Sequence, residues 1–495
     1  MDIAEIKKIY FVGIGGIAMS ATAGLAKEQG YQVVGSDAAT VYPPAKTVLE
    51  EHGIEILSGY YRDQIAASGA DLYVVSAGES AQNPEVAWLM EEGIQFVSFP
   101  ELLYALSQNK LRVVVAGTHG KSTTSGWLGH ALRHIDDSSY MVGAVLKEYN
   151  ANFYSGTGHY FVFEGDEYKA TVDDATPKMH YYKGDILVLT NLEFDHPDVF
   201  ANLDEIKTEF RELVANVPDD GLIIYNGDNA DLADIIYRET GRSFTFGIHH
   251  TAHIQATEIL YHGGGSTFAV INRLDPENVR TERYEISLPG EINIYNALAV
   301  IATLRALGFQ QELVQKHLLS YSGVKRRFEI IYPLSSSAHT EPTHSSPSNI
   351  GGARGGITVV DDYAHHPTAV RETLEAAKTR FPHARVWAIF EPHTYSRTKA
   401  TLQDLVASFD AADQVLLAHI YGAREQQNNA GITDDEVLSA VAAHYTHIRP
   451  VATKQEALEI LEQELVPGDV VIVMAVGSFN RLAYELAAWL SEKLK

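Results

Sequence analysis

Residues 113–124, VVVAGTHGKSTT, have the composition of a loop that holds nucleotide phosphates. An apolar run ends on Gly-Thr-His-Gly-Lys-Ser, and such glycine-rich loops cradle phosphates with backbone N–H groups. Lys121 would then contact the β- and γ-phosphates, and Ser122 would offer its hydroxyl to Mg²⁺. The pattern is incomplete, because the first glycine of the usual motif is replaced by Val115. The alternative interpretation is a capped helix after a buried strand.

Acidic and amide side chains follow two later strand-like runs, FVF at 161–163 and LVL at 187–189. The first group is Glu164, Asp166 and Glu167, and the second is Asn191, Glu193, Asp195 and His196. Ligands of an open α/β sheet bind beyond the carboxyl ends of its strands, so both groups are expected to converge on the glycine loop. Mg²⁺ prefers carboxylate and phosphate oxygens. One acidic cluster alone would be a helix cap, but two after a phosphate loop favour a site for ATP and two cations.

A second glycine-rich segment lies near the N-terminus, in FVGIGGIAMSATAGLAKEQGYQVVGSD. Gly13, Gly15 and Ala18 fit a dinucleotide fingerprint, and Asp37 ends the next strand at the expected distance. The motif predicts a Rossmann-like fold but leaves the ligand open among NAD, the diphosphate of a UDP-sugar, and no ligand. An NAD-dependent oxidoreductase is therefore an alternative, although it leaves Lys121 unexplained.

Strand-like runs alternate with amphipathic stretches of helical length, which predicts an α/β fold with mostly parallel sheets. The 495 residues are too many for one core. We predict domains at 1–109, 110–329 and 330–495. Residues 335–356 are rich in Ser, Pro and Gly and predict a long surface loop.

The composition excludes several classes of function. A net charge of −26 argues against a nucleic-acid partner. The absence of cysteine excludes disulfides, thiolate metal sites and cysteine nucleophiles. No run has the length of a signal peptide core or a membrane span, which predicts a cytoplasmic protein without membrane association. The sequence leaves open whether it is a monomer or a dimer.

Two further polar pairs lie near the predicted end of the second domain. Asn293 and Asn296 share one face at the start of a predicted helix, where their amides would bind an adenine edge or cap the helix. Arg326 and Arg327 precede the Ser-rich segment and could reach a phosphate in a cleft between domains.

Taken together, these segments resemble the Mur ligases of peptidoglycan precursor synthesis. The resemblance covers nearly the whole chain in the right order, through GTHGKSTT, EGDEY, NLEFDH, INIYN, KRRFE and DDYAHHPT. GIGGIAMS and VVSAGESAQNPE resemble the UDP-binding domain of the branch that acts on UDP-N-acetylmuramic acid, and His119 is typical of that branch. The resemblance implies a Rossmann-like UDP-sugar-binding domain, a central ATP-binding domain with a phosphate loop, and a Rossmann-like amino-acid-binding domain.

The family resemblance also implies the reaction. The lactyl carboxylate of UDP-N-acetylmuramate attacks the γ-phosphate of ATP, with Mg²⁺ present, and an amine displaces phosphate from the resulting acyl phosphate. EPHTYSRTKA at 391–400 favours L-alanine as the amine. EGDEY, PKMHYY, NLEFDHPDVF and VGSF instead favour the tripeptide L-Ala-γ-D-Glu-diaminopimelate. We predict L-alanine, because the C-terminal domain forms most of the amine pocket.

Site residues carry over from the family by position. The resemblance implies catalytic roles for Lys121, Glu164, His196 and His365, and metal ligation by Ser122, Glu164 and His196. The implied ATP-binding residues are Gly117, Thr118, His119, Gly120, Lys121, Ser122, Thr123, Asn293, Asn296, Arg327 and Asp362. The implied UDP-sugar residues are Gly13, Gly15, Gly16, Ser36, Asp37 and Ser76. Those implied for the amine substrate are Tyr363, His365, His393 and Arg397.

Two positions depart from the family pattern. Ile292 replaces the histidine before the first asparagine of the adenine helix. MAVGSFNR at 474–481 replaces the Gly-Ala-Gly-Asp typical of alanine-adding members.

Overall fold

The protein is described by a computed structural model that covers residues 3–38, 40–168, 176–197, 199–236, 242–333, 356–423, 425 and 431–493. The loop predicted at 335–356 lies, except for Gly356, outside these described residues.

The N-terminal part of the chain forms a five-stranded parallel sheet in the order β3-β2-β1-β4-β5. Its strands are β1 (Lys8–Val12), β2 (Gln32–Asp37), β3 (Glu55–Ser58), β4 (Leu72–Val75) and β5 (Val97–Ser98). Its helices are α1 (Ile17–Glu28), α2 (Ala45–Glu51), α3 (Arg62–Ala66), α4 (Pro84–Glu91) and α5 (Phe99–Leu106). Local signals set the helix starts: Asn83 caps α4 ahead of Pro84, and Ser98 with Glu101 forms a capping box on α5.

The central part forms a ten-stranded sheet in the order β15-β14-β13-β12-β11-β10-β6-β9-β7-β8. Its strands are β6 (Leu111–Ala116), β7 (Ser139–Leu146), β8 (Ala151–Tyr154), β9 (Tyr160–Gly165), β10 (Ile186–Leu189), β11 (Leu222–Asn226), β12 (Arg242–Gly247), β13 (Ile254–His262), β14 (Gly265–Asn272) and β15 (Arg280–Ile286). Its helices are α6 (Lys121–Asp136), α7 (Leu203–Ala215), α8 (Ala230–Ile236), α9 (Glu291–Ala306) and α10 (Gln311–Leu319), with a 3-10 turn at Lys178–Tyr181. The middle of the sheet is parallel, and the pairs β7–β8, β13–β14 and β14–β15 are antiparallel.

The C-terminal part forms a six-stranded sheet in the order β16-β17-β21-β18-β19-β20, parallel except for β16. Its strands are β16 (Glu329–Tyr332), β17 (Thr358–Asp362), β18 (Val386–Phe390), β19 (Gln414–Ala418), β20 (Ile448–Val451) and β21 (Val470–Met474). Its helices are α11 (Pro367–Arg380), α12 (Tyr395–Ala400), α13 (Leu402–Ala407), α14 (Asp434–Ala442), α15 (Lys454–Glu464) and α16 (Arg481–Lys493), with a 3-10 turn at Ser478–Asn480. The predicted α/β class with three mostly parallel sheets is confirmed.

Strand β6 is apolar throughout its second half because both faces of the central sheet are covered. Val113 and Val115 face a core shared with α6 and α9. Val114 and Ala116 face a second core that continues into the N-terminal sheet. Strands buried on both faces form continuous apolar runs rather than alternating ones. The central sheet therefore holds β6 rigidly between β10 and β9, where its loop projects from the sheet edge.

None of the helices in the described part of the chain is long and apolar enough to span a bilayer.

Candidate active site

The predicted phosphate loop connects β6 to α6. Gly117 has φ +140° and Gly120 has φ +80°, a region that favours glycine. A Cβ on Gly117 would lie 2.1 Å from Thr190 Oγ1, and one on Gly120 would lie 2.3 Å from Asn296 Oδ1. Both glycines are therefore required by conformation and by close packing. The loop delivers the chain to the N-terminus of α6, where free N–H groups and the helix dipole favour an anion.

Val115, at the position of the missing first glycine, is still part of β6. It is fully buried and lies opposite Val188 of β10 and Glu164 of β9. The loop thus begins two residues later than the usual motif places it. A valine suits this position because the residue fills the core rather than shaping the loop.

The remaining loop residues are tied to the end of β10. The His119 backbone N–H donates to Asn191 Oδ1 at 2.8 Å, and the Glu193 N–H donates to Thr118 Oγ1 at 2.8 Å. Thr123 is buried in the first turn of α6. These bonds fix the loop to the neighbouring strand.

Lys121 is buried and paired with Glu167. Its Nζ donates to Gly117 O at 2.6 Å and to Glu167 Oε2 at 2.8 Å. Burial alone would lower the pKa of Lys121, but the Glu167 and Asp166 carboxylates outweigh it and raise that pKa above its ordinary value. Burial would likewise raise the pKa of Glu167, yet Lys121 and His196 hold it at about 2. The pair is therefore charged at neutral pH.

Ser122 and Glu164 offer oxygen ligands at the mouth of the loop. The Ser122 hydroxyl donates to Glu164 Oε1 at 2.7 Å, and the Gly143 N–H donates to Oε2 at 2.7 Å. Burial and the nearby Asp166 carboxylate raise the pKa of Glu164. A hydroxyl and a crowded carboxylate are the ligands that Mg²⁺ takes alongside phosphate oxygens. The donor set therefore fits a magnesium–nucleotide complex.

His196 lies on the other side of Glu167, just beyond β10. It has a left-handed backbone, with φ +56°, and its Nε2 lies 3.1 Å from Glu167 Oε1. Burial acts to lower the pKa of His196, but Glu167 and Asp195 raise it on balance. His196 and Glu167 thus provide neighbouring nitrogen and oxygen donors beside Lys121.

Arg397 of α12 reaches across to the central sheet. Its Nε donates to Asp195 Oδ1 at 2.7 Å, and its Nη1 lies 2.7 Å from His393 Nδ1. Its Nη2 lies 3.3 Å from His196 Nδ1. Burial acts to raise the pKa of Asp195, but Arg397 and His196 hold it well below its ordinary value. An ion pair therefore joins the two domains at the site.

His365 lies beside these groups, after β17. Its Nδ1–H donates to the Tyr363 carbonyl at 2.8 Å, which leaves a lone pair on Nε2. Its ring also contacts the His393 ring, with centroids 5.3 Å apart. Burial and the nearby Arg397 charge keep the pKa of His365 well below its ordinary value. The imidazole is therefore neutral and can accept a proton at Nε2.

The predicted adenine residues, Asn293 and Asn296, and the predicted ribose residue, Asp362, are each held by hydrogen bonds of their own. Asn296 Nδ2 donates to Asn293 Oδ1 at 3.1 Å, and Asn293 Nδ2 donates to Pro289 O at 2.7 Å. Asp362 accepts the backbone N–H groups of Phe328 and Ala364, each at 2.7 Å. Those two bonds hold the residue before β16 and the turn after β17 to the carboxylate at the end of β17.

One large cavity of about 1120 Å³ lies between the three sheets. The sequence-predicted residues that line it are Thr118, His119, Gly120, Lys121, Ser122, Thr123, Glu164, His196, Asn293, Asn296, Arg327, Asp362, Tyr363, His365, His393 and Arg397. Ile17 and Pro43 line it from the N-terminal part. The geometry thus brings a phosphate loop, acidic groups and a basic pocket into one chamber.

Comparison with known proteins places this arrangement in one family. Residues 8–111 match the Mur ligase family catalytic domain, 115–304 the Mur ligase middle domain, and 349–477 the Mur ligase glutamate ligase domain. The UDP-N-acetylmuramate–L-alanine ligase of Caldanaerobacter subterraneus subsp. tengcongensis is 34% identical over 97% of this chain and 96% of its own. The chain belongs to the Mur ligase family. It is an ATP-dependent amide ligase, as the sequence predicted.

Two solved structures show the same fold as this Mur ligase. The UDP-N-acetylmuramate-alanine ligase of Thermotoga maritima has a TM-score of 0.75 and 22% identity, with 98% of this chain and 99% of that chain covered. The murein peptide ligase of Psychrobacter arcticus has a TM-score of 0.69 and 27% identity, with 98% of both chains covered.

The residues predicted to bind UDP-sugar lie elsewhere in this Mur ligase. Gly13, Gly15, Gly16, Ser36, Asp37 and Ser76 surround the loop after β1, and none lines the large cavity of the described chain. Gly15 N–H donates to Asp37 Oδ2 at 2.8 Å. The Ser36 hydroxyl donates to buried Glu85. The Asp37 side chain therefore braces the loop and the Ser36 side chain is bonded to α4, while Ile17 and Ala18, which follow the loop, border the cavity. Their ligand role stays a prediction.

Two cavity residues of the Mur ligase were missed at the sequence level. His366 caps α11, and its ring lies 4.8 Å from the His119 ring. Glu372 lies one turn into α11 and lines the cavity. Burial raises the pKa of Glu372 to about 7, with Glu193 adding to the effect and His119 opposing it. Glu372 lies outside every motif, and His366 lies in the DDYAHHPT segment, of which only Asp362, Tyr363 and His365 were predicted as site residues. Both positions depend on how α11 docks, which is set by tertiary packing.

Proposed function

We propose that this Mur ligase joins the lactyl carboxylate of UDP-N-acetylmuramate to L-alanine, with ATP and Mg²⁺, in peptidoglycan precursor synthesis. The observation that carries the proposal is the meeting of Lys121 and Glu164 with His365 and Arg397 in one cavity. The named relative, which the chain matches over nearly its full length, acts on UDP-N-acetylmuramate and L-alanine.

The central domain would handle phosphoryl transfer. Lys121 would leave Glu167 to hold the β- and γ-phosphates, and Ser122 with Glu164 would hold one Mg²⁺. His196 would hold the second Mg²⁺ beside Glu167. The metal ions supply positive charge that neutralises the transferred phosphoryl group. The protein's own contribution is positioning, since phosphoryl transfer requires little other chemistry from side chains.

The C-terminal domain would handle the amine. An ammonium group must lose a proton before it can attack the activated carboxyl carbon, and Nε2 of neutral His365 can accept that proton. Arg397 has five N–H donors. Its Nε–H faces Asp195, one donor on Nη1 faces His393, and one donor on Nη2 faces His196. The others would receive the amino-acid carboxylate. Attack by the amine then expels phosphate and leaves the amide.

A second candidate amine is the tripeptide L-Ala-γ-D-Glu-diaminopimelate. The similarity to a murein peptide ligase at 27% identity over the full length favours it, as do the PKMHYY and VGSF segments. Both candidates share the sugar nucleotide, ATP and the first half-reaction.

A competition assay tests the proposal. Purified protein with ATP, Mg²⁺ and UDP-N-acetylmuramate is offered L-alanine, L-serine, glycine or the tripeptide, and phosphate release and product mass are measured. L-alanine is expected to give the highest kcat/KM. A preference for the tripeptide would select the second candidate. Phosphate release that requires no sugar nucleotide would refute both.

A further inference from the structure

Three histidines cluster on the central domain, outside the large cavity. His130 and His134 lie one turn apart on α6, and His317 lies on α10. One potential ligand nitrogen from each lies within 4.8 Å of those of the other two. None of the three lines the cavity. Because α6 rises about 1.5 Å per residue, His130 is about 14 Å from Lys121 along the helix. The cluster is therefore separate from the catalytic groups.

Hydrogen bonds orient two of these rings. Nδ1 of His134 lies 2.9 Å from the His130 carbonyl. A carbonyl only accepts, so Nδ1 carries the proton and Nε2 presents a lone pair. His130 is bonded at both ring nitrogens, by the Ser320 hydroxyl at Nε2 and the Tyr149 hydroxyl at Nδ1, both at 2.8 Å. One of these hydroxyls must rotate away for a metal to reach the ring, and the bond that stays is of the kind that orients metal-ligating imidazoles.

The third ring provides an independent sign of a ligand. His317 is 5% exposed, and its Nδ1 is buried with no hydrogen-bond partner among the described residues. Buried polar atoms of native proteins are almost always paired, so an unpaired one requires an explanation. Burial, together with the neighbouring imidazoles, lowers the pKa of His130 to about 3 and that of His317 to about 4.

We propose that His130, His134 and His317 form a site for one Zn²⁺ ion that links α6 to α10. Three imidazole ligands suit Zn²⁺, and a water molecule would complete a tetrahedral set. Ligand nitrogens around tetrahedral zinc lie about 3.3 Å apart, so the rings must close in slightly. His134 is exposed on its helix and can make this adjustment by side-chain rotation.

Zinc binding to the full-length protein in excess Mg²⁺ tests the site. The metal content after dialysis against Zn²⁺ is compared among the wild type, His134→Gln and His383→Gln. The last variant removes an exposed histidine remote from the cluster and serves as the matched control. The wild type and His383→Gln are expected to retain one ion more than His134→Gln. Equal zinc content in all three proteins would overturn the proposal.

Two further measurements keep the result specific. Co²⁺ in place of Zn²⁺ should give the intense visible absorption of a tetrahedral site in the wild type, and His317→Gln should lose it. Far-UV circular dichroism shows whether the His317→Gln protein still folds. If it does not, the loss of the absorption in His134→Gln tests the site instead. A second cluster, His180 with Glu209 and Glu212, could also take zinc. If His180→Gln, rather than His134→Gln, removes the ion, the assignment to α6 and α10 is wrong.

Discussion

Arg397 Nε donates to Asp195 Oδ1 at 2.7 Å, and both side chains are almost fully buried between the central and C-terminal domains. The two residues are 202 positions apart in the chain, so this ion pair depends on how the domains dock. A buried charge is stabilised only while its partner is present.

Asp195→Ala should therefore destabilise the protein more than the loss of one surface contact would. We expect a loss of about 3–5 kcal/mol, because Arg397 is left as an uncompensated buried charge. Thermal unfolding, followed by calorimetry, measures the effect. The double variant Asp195→Ala/Arg397→Ala should recover part of the loss. Strictly additive effects of the two substitutions would contradict a direct pair.

Lys121→Met should abolish most ligase activity, since it removes the charge proposed to hold the phosphates. We expect kcat/KM to fall at least about tenfold, or about 1.4 kcal/mol of transition-state stabilisation. Coupled detection of ADP measures it. The same variant leaves His196 as the remaining basic partner of Glu167, so Lys121→Met/Glu167→Gln should regain stability but not activity. Recovery of activity in the double variant would argue against a phosphate role for Lys121.

Gly120→Ala should weaken ATP binding through a steric effect. The new Cβ would meet Asn296 Oδ1 at 2.3 Å, on a backbone with φ +80°. Gly308→Ala is the matched control, because Gly308 has φ +88° but open space around its Cβ. We expect the control to cost about 1 kcal/mol of stability and to leave ATP affinity unchanged. Calorimetric titration with ATP measures the affinity of both variants. Equal ATP affinities in the two variants would contradict the steric effect at Gly120.

Val115→Gly, which completes the usual phosphate-loop motif, should not improve the enzyme. Val115 is fully buried in β6, so the substitution opens a cavity and places a flexible residue in a strand. We expect a loss of about 2–4 kcal/mol and no gain in ATP affinity. Val115→Ile tests the same position without a cavity. A tighter ATP complex in Val115→Gly would show that the loop, not the strand, uses this residue.

The pH dependence of stability should reveal Glu372. Its pKa is raised from 4.5 to about 7, so the folded state binds a proton that the unfolded state releases earlier. This contribution is complete below pH 4.5 and is lost as the pH rises through 7. Relative to the wild type, Glu372→Gln should therefore unfold at a similar temperature at pH 4.5 and at a higher one at pH 8. The control Glu459→Gln, on the exposed face of α15 and away from the cavity, should show no such pH-dependent difference.

The sequence predicted the parts of this site that are set by local pattern. The strand-to-helix loop at Gly117 and Gly120, and the acids at the carboxyl end of β9 and after β10, follow from apolar runs that end in polar residues. These strands flank β6 in the sheet, so their carboxyl ends converge as the rule for open α/β sheets requires.

The rest depends on packing that no local pattern encodes. Lys121 pairs with Glu167 rather than with Glu164. Glu164 lies within β9, whereas the chain just beyond β9 brings Glu167 to Lys121. The antiparallel pairs β13–β14 and β14–β15 extend a sheet that the alternation of strands and helices predicted as mostly parallel, without locating its antiparallel part. Glu372 and His366 enter the site because α11 docks there, which a single sequence does not reveal.

The pairing of β9 with β6 sets Glu164 opposite Val115 and Phe163 opposite Val114. Neighbouring residues of a strand point to opposite faces, so deleting one residue within 160–162 would turn Phe163 and Glu164 to the opposite faces of the sheet. The acid would enter the core and the phenyl ring would face the loop. The same deletion in the seven-residue turn at 273–279 between β14 and β15, whose residues 275–279 are exposed, removes no residue of a strand. Length changes in natural or engineered relatives should therefore be absent from β9 and tolerated at that turn.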